Sequence, residues 1–376
     1  MTKKKIVIVY ATAGIGHKKA SIAVKKALDE MAPEGIDVSI IDALDYTNDF
    51  FKWSYLQAYL LMVNKLPLFW GMSYYLTDNF YFNMLIARMR RFNNWLSSGK
   101  LANYLFDTKP DVVISTHFFA SEVIADLKKN SGLKSRLITV VTDYRLHSWW
   151  VAEPTDTYVV AGEDARNDLI RWKVEPSRIK VLGIPIEPIF SKPLNKDDIL
   201  RKTGLRSGIF TILVIGGGFG VGPIEEIVKV IAAIRHPLQV IAICGHNEEL
   251  VRRLEELKKQ MTADIKVLGF VDNVYEYMEV SDVLISKSGG ITVSESLAKE
   301  IPLIIISPIM GQETRNADFL MKHGAALKLA RVSDLKDSLE YLCAHPDKIK
   351  EMKKSIETIK KPMACYDVAK LAIDMV

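Results

Sequence analysis

The sequence predicts an α/β protein with two Rossmann-like domains facing each other across a cleft. Three observations predict it. Short apolar runs alternate with helical patterns along the whole chain, as in successive βαβ units. The runs are nearly continuous in Val and Ile, which suits parallel strands buried on both faces. Glycine-rich segments follow several of the runs, where such a strand would turn into a helix.

In the first half the predicted strands are Lys5–Tyr10, Val38–Asp42, Asp111–Thr116, Leu137–Thr142 and Thr157–Ala161. In the second half they are Phe210–Ile215, Gln239–Cys244, Lys266–Leu268, Asp282–Ser286 and Pro302–Ser307. Between the halves lies Gly183-Ile184-Pro185-Ile186-Glu187-Pro188, continuing to Lys192-Pro193, a proline-punctuated connector. The domains are therefore placed at 1–187 and 188–361. Residues 50–95 break the alternation: they hold 14 of the 34 aromatics, with Arg88, Arg90 and Arg91 near the end. Such a segment is either a helical insert with a buried aromatic face or an interfacial segment whose arginines meet anionic lipid phosphates.

Composition narrows the function classes. At 376 residues, 49% hydrophobic and 25% charged, the chain is of globular type and long enough for two cores. No stretch approaches the ~20 apolar residues of a membrane span, and no signal peptide is expected at the start. Three cysteines without paired or metal-type spacing predict a reducing, cytoplasmic setting. A net charge of +5 permits an anionic partner, and no nucleic-acid partner is expected.

Four glycine-bearing or polar segments carry the chemistry. Ala13-Gly14-Ile15-Gly16-His17 follows the first strand and opens a helix near Lys18. Lys19 stands where a dinucleotide fingerprint needs its third glycine, and no Gly-Lys-Ser/Thr is present, so a histidine is left at the cleft mouth. It is either structural or a base. Gly216-Gly217-Gly218-Phe219-Gly220-Val221-Gly222 precedes a helix predicted over 224–234, and such a loop offers amides and a helix amino terminus to a diphosphate. A purely structural turn is the alternative. Ser288, Gly289, Gly290 and Thr292 recur at a strand end, with Glu295 a turn later. That carboxylate suits vicinal hydroxyls, or else forms a capping box with Thr292. Gln312, Glu313 and Asn316 form a dense set of sugar-type hydrogen-bonding groups. On the acceptor side stand Gly16 with Asp143, His147 and Trp150, of which the last three either orient an acceptor or pack the insert.

No Asp-x-Asp, His-Glu-x-x-His or cysteine cluster is present, so a route without metal or cofactor is expected, with helix termini and amides stabilising a departing diphosphate. A neutral histidine can take the proton of an attacking alcohol near pH 7. One base and a good leaving group suffice for a single displacement that inverts the anomeric carbon.

In order along the chain, Gly14-Ile15-Gly16-His17, Val141-Thr142-Asp143, the glycine run 216–222, Cys244-Gly245-His246-Asn247, Gly269-Phe270-Val271 and Gly311-Gln312-Glu313 resemble the diacylglycerol glycosyltransferases. That resemblance implies a GT-B fold and inverting transfer of glucose or galactose from UDP to diacylglycerol at the cytoplasmic membrane surface. It makes His17 the base on the glycerol hydroxyl and sets Phe270 and Val271 by the uracil. Glu295 falls on the ribose; Gly217, Gly218, Gly220, Gly289 and Gly290 surround the diphosphate, and Gln312 and Glu313 contact the sugar. It also implies that the last helix, about 362–376, packs back on the first domain. Lys287-Ser288-Gly289-Gly290-Ile291-Thr292 leans instead toward the related GlcNAc transferase of peptidoglycan synthesis. A polyprenyl-linked acceptor, a nucleotide-sugar epimerase and a non-catalytic UDP-sugar sensor are the alternatives.

Overall fold

The computed structural model describes residues 3–12, 14–217, 220, 222–261 and 263–376, apart from the side chains of 59, 60, 63, 64, 80, 92 and 95. The first half runs β1 (Lys4–Tyr10), α1 (Ile15–Met31), β2 (Ile36–Asp42), α2 (Asp49–Lys65), α3 (Pro67–Thr77), α4 (Phe80–Ser97), α5 (Gly99–Thr108), β3 (Val112–Ser115), α6 (Phe118–Asn130), β4 (Arg136–Val140), β5 (Thr157–Val160), α7 (Glu163–Arg171) and β6 (Ile179–Val181). The second runs α8 (Lys196–Thr203), β7 (Phe210–Ile215), α9 (Ile224–Ala232), β8 (Leu238–Ile243), α10 (Glu248–Lys258), β9 (Asp264–Leu268), α11 (Val274–Glu279), β10 (Val283–Ser286), α12 (Gly290–Ala298), β11 (Leu303–Ile306), α13 (Gln312–Lys322), β12 (Ala326–Leu329), α14 (Leu335–Ala344), α15 (Pro346–Ile359) and α16 (Ala364–Asp374).

Two parallel six-stranded sheets result, in the orders β2-β1-β3-β4-β5-β6 and β12-β11-β10-β7-β8-β9. The α/β expectation of two facing Rossmann-like units is met. Each sheet changes direction once, between β1 and β3 in the first and between β7 and β10 in the second. Loops at the carboxyl ends of those four strands diverge there and leave a crevice. They carry Gly14–His17, Thr116–His117, Gly216, Gly217, Gly220 and Gly222, and residues 287–290. The central strands are fully buried, which is why Val and Ile fill them without alternation.

The sequence reading missed β6 and β12. Both are short edge strands interrupted by an outward lysine, Lys180 and Lys328, so neither presents an apolar run. The first helix begins at Ile15 rather than near Lys18. The proline-rich connector is packed: Ile184, Ile186 and Phe190 join Leu213, Ile241 and Ile291 in one core cluster. That cluster also takes Ala20, Tyr144 and Ala161 from the first half, so apolar packing spans the cleft. Cys365, Val368, Ala369 and Ala372 of α16 lie fully buried against Ile6, Ile8, Val24 and Leu28 under the first sheet.

Residues 50–95 form α2, α3 and most of α4. Phe51 and Tyr74 are buried, the former against Phe119 at 5.5 Å between ring centroids. Much of the remaining apolar surface faces outward, including Phe50, Trp53, Leu68, Met72, Leu76, Tyr81, Leu85 and Met89. One face of the insert is thus buried and aromatic, and the other is exposed and apolar. No helix among the described residues is long and apolar enough to cross a membrane.

Candidate active site

Helix α1 starts from Gly14, whose φ of 109° lies in the region that favours glycine, and no side chain caps its first amides. His17 sits in this uncapped first turn. Its Nδ1 is 2.8 Å from the Thr116 carbonyl oxygen and 3.0 Å from Thr142 Oγ1. A carbonyl oxygen only accepts, so Nδ1 carries the proton and Nε2 is the basic nitrogen. Burial lowers the His17 pKa to about 4, with the bond to Thr116 acting in the opposite sense. The helix amino terminus also disfavours a cation here. His17 is therefore a neutral imidazole of defined tautomer at pH 7.

His117 stands against it edge to face, with ring centroids 4.4 Å apart. The His117 Nδ1 accepts the Phe119 amide proton at 3.1 Å as the N-cap of α6, which puts its own proton on Nε2. Burial and then the neighbouring His17 hold its pKa well below the ordinary value. Sequence reasoning passed over His117, although its place at the end of β3, beside β1, marks the switch point.

Both histidines line a cavity of about 450 Å³ between the halves. Of the residues expected on the acceptor side, Gly16, Asp143, His147 and Trp150 all line it. Desolvation pushes Asp143 up to about 6, opposed by hydrogen bonds from Asn316 and Trp150 and by the charge of Arg315. His147 has both nitrogens engaged: Nδ1 accepts from the Trp149 amide at 3.2 Å, and Nε2 donates to the Tyr74 carbonyl at 2.9 Å. Desolvation lowers its pKa to about 4. It latches α3 onto the first domain.

From the second half, Gly289, Gly290, Gln312, Glu313 and Asn316 reach the same cavity. Burial raises the Glu313 pKa, and its Oε2 accepts from the Ile309 amide at 2.7 Å. Asn316 is buried and committed, its Oδ1 accepting from the Tyr144 amide at 2.8 Å and its Nδ2 donating to the Ser288 carbonyl at 3.0 Å. Ser288 donates its hydroxyl proton to the Glu313 carbonyl at 2.6 Å. These two residues, expected on the nucleotide sugar, have their polar groups taken up inside the protein.

Of the two readings of Glu295, the capping box is absent. The N-cap of α12 is Gly289 with no side-chain cap, so Thr292 is already the third helical residue and no Thr292–Glu295 capping box forms. Glu295 instead meets Lys19 across the cleft at 3.3 Å, and burial raises its pKa while Lys19 lowers it. Lys19, read only as a missing glycine, is thus a cross-domain partner. Gly217 and Gly220 lie on the loop after β7, apart from the cavity, and Gly218 lies outside the described residues. Gly220 has φ 61°, and any Cβ there would run into the Cys244 carbonyl. Lys287 Cε stands beside Gly222. Phe270 is 59% exposed and stacks flat on His246, with centroids 4.3 Å apart, while Val271 packs at the edge of the core next to it. Among the described residues no cluster of three metal-type side chains occurs.

Arg315 was also passed over. It donates from Nη2 to Asp78 at 2.6 Å and from Nη1 to the Leu146 carbonyl at 2.9 Å, with its guanidinium over Tyr74 at 5.1 Å. A residue of α13 in the second domain therefore holds α3 in place.

Residues 17–186 match the model of the monogalactosyldiacylglycerol (MGDG) synthase family, and residues 211–369 match the glycosyltransferase family 28 C-terminal domain. The processive diacylglycerol β-glucosyltransferase of Bacillus pumilus (strain SAFR-032) is 30% identical over 95% of this chain and 91% of its own length. Its namesake from Bacillus subtilis (strain 168) is 28% identical over 95% and 92%. Among solved structures, Acinetobacter baumannii MurG superposes with a TM-score of 0.66 over 99% of both chains at 17% identity. The calicheamicin glycosyltransferase CalG4 gives 0.63 over 100% of both at 12%. Those two likenesses establish the GT-B architecture of facing parallel sheets. Matched along nearly its whole length by curated relatives of one name, the chain belongs to the diacylglycerol glycosyltransferase family and is a glycosyltransferase of GT-B fold.

Proposed function

We propose that the protein transfers a hexose from a UDP-sugar to the free hydroxyl of diacylglycerol, with inversion, at a membrane surface. The observation that carries this reading is His17: a neutral imidazole, basic at Nε2, that lines a cavity shared by both domains. A proton leaving the glycerol hydroxyl as it attacks is taken by that nitrogen, and the imidazolium so formed is held by the Thr116 carbonyl. On the donor side, the uncapped amino termini of α12 and α13 offer amides to the departing diphosphate, and Lys287 adds a cation. Positive groups of this kind do the work of a metal ion, so the reaction is expected to run without one. The exposed Phe270 ring on its His246 support suits the flat face of a uracil. Glucose is the favoured sugar, since the curated relatives are named for it.

The outer face of the insert supports the membrane reading. Leu68, Met72 and Leu76 form one stripe along α3, and Tyr81, Leu85 and Met89 another along α4, with Arg88 and Arg91 exposed beside it. Apolar stripes flanked by arginines suit an anionic bilayer surface, and in a cell the cytoplasmic leaflet supplies one.

The test is UDP release and glycolipid formation on vesicles with and without diacylglycerol, using UDP-glucose, UDP-galactose and UDP-GlcNAc separately. Diacylglycerol-dependent glycolipid from one donor, lost by at least ~100-fold in His17→Ala, is the expected result. UDP binding without glycolipid from any donor refutes it.

A further inference from the structure

A second cavity of about 650 Å³ opens between α2 and α4 over the start of α6. Phe51, Ile86, Met89 and Phe119 line it, and at one end lies the ion pair of Arg90 with Glu122, whose Nη2–Oε1 distance is 2.9 Å. Asn94 donates to the same carboxylate at 2.6 Å, so the polar end is closed on itself. Asn93 also lines it, and the rest of its described wall is aromatic or aliphatic. This cavity and the one containing His17 share three lining residues, Tyr55, Phe118 and Trp149. At that junction the buried Trp149 Nε1–H has no hydrogen-bond partner among the described residues. A buried donor left unpaired is costly, so such groups in native proteins call for an explanation.

We infer that this groove seats one acyl chain of the acceptor lipid, with Trp149 Nε1–H donating to that chain's ester carbonyl. The inference rests on the diacylglycerol reading above. Connectivity of the ligand argues for it: in a diacylglycerol an ester lies between the free hydroxyl and each chain. In the structure, Trp149 lies between the cavity of the base and the apolar groove. The groove opens on the insert whose outer face carries the exposed apolar stripes, so a chain has a dry route from a bilayer. A water-soluble acceptor has no use for such a groove.

The experiment compares kcat/KM for monomeric dihexanoylglycerol and dioctanoylglycerol in solution. Two further methylenes in a groove raise kcat/KM roughly 15-fold in the native protein. Ile86→Trp, which fills the groove, is expected to reduce that ratio to threefold or less. An unchanged ratio in Ile86→Trp overturns the groove. Should that variant not fold, the native protein decides, using a diacylglycerol with a diazirine in one chain. Labels within 86–94 and 118–122 support the groove, and labels confined to 66–76 overturn it. For Trp149, the native protein is expected to prefer ester-linked over ether-linked dioctylglycerol about fivefold, the worth of one hydrogen bond. Trp149→Phe keeps the ring and is expected to erase the preference; an unaltered preference removes the indole from the proposal. If the native protein makes glycolipid from none of these acceptors, the diacylglycerol reading itself fails.

Discussion

Replacing Gly290 with alanine separates cleft geometry from domain stability. Gly290 is the first residue of α12 in the second domain, and its α-carbon faces the backbone of Thr142 in the first. A Cβ there would lie 3.2 Å from the Thr142 carbonyl carbon and 3.3 Å from Ile184 Cδ1. It would come closer still to the Thr142 carbonyl oxygen, far inside the 3.0 Å that real Cβ atoms respect. Neither backbone can yield alone, because Thr142 follows Val141, whose amide donates to the Val159 carbonyl of β5, and Gly290 starts a helix. The cleft must open instead, by about 1 Å, and a misplacement of that size can cost ~100-fold in rate. Thr142 also holds His17 through its hydroxyl at 3.0 Å, so the base moves with it. Gly290→Ala is therefore expected to lower kcat/KM for glycolipid by about 100-fold while shifting Tm by only a few degrees, since the strain falls on the cluster that spans the cleft, with Ile184 and Ile291, and leaves two other sheet cores untouched. Steady-state kinetics on diacylglycerol vesicles, with thermal unfolding of the same preparation, measures both. Activity within threefold of the native protein would show that the domains need not close to this distance, and the reasoning fails.

Other expectations follow from the same contacts. With His17 lowered to about 4 and Asp143 raised to about 6, an acid limb in kcat/KM near pH 6 belongs to Asp143 and is expected to vanish in Asp143→Asn; a limb near 6.5 that survives that substitution contradicts the assignment. The depressed His17 contributes stability that is complete above pH 6.5 and lost as pH falls toward 4, so His17→Gln is expected to flatten the acid side of the unfolding profile. Arg315→Met is expected to loosen α3 by about 2 kcal/mol, read as faster amide exchange in 67–77, because charged hydrogen bonds to Asp78 and Leu146 are lost. Val368→Ala removes two buried methyl groups beneath the first sheet and is expected to cost about 2 kcal/mol in urea unfolding. Serine at Leu68, Met72 and Leu76 together is expected to weaken sedimentation with anionic vesicles on the order of 100-fold, and undiminished binding would remove α3 from the membrane face.

The fold was legible because its signals are local. A buried parallel strand such as Ile212–Val214 needs apolar side chains on both faces, and a strand-to-helix turn such as Gly14–His17 needs glycine where φ is positive. The edge strands β6 and β12 escaped notice because an edge needs no such run. The candidate site was legible as positions and illegible as chemistry. His17, Gly290, Gln312 and Glu313 could be picked out by their place after strands, yet nothing local says which nitrogen of His17 holds its proton. Thr116 and Thr142 decide that, 99 and 125 residues away in sequence. The same holds for Glu295: its spacing from Thr292 suggested a cap, whereas the closed cleft gives it Lys19, 276 residues distant. By itself, then, the sequence determined the two sheets, the glycine turns and the family. Only the tertiary structure decided protonation, pairing across the cleft and the seat of the insert, because electric fields, desolvation and hydrogen-bond partners depend on distance in space.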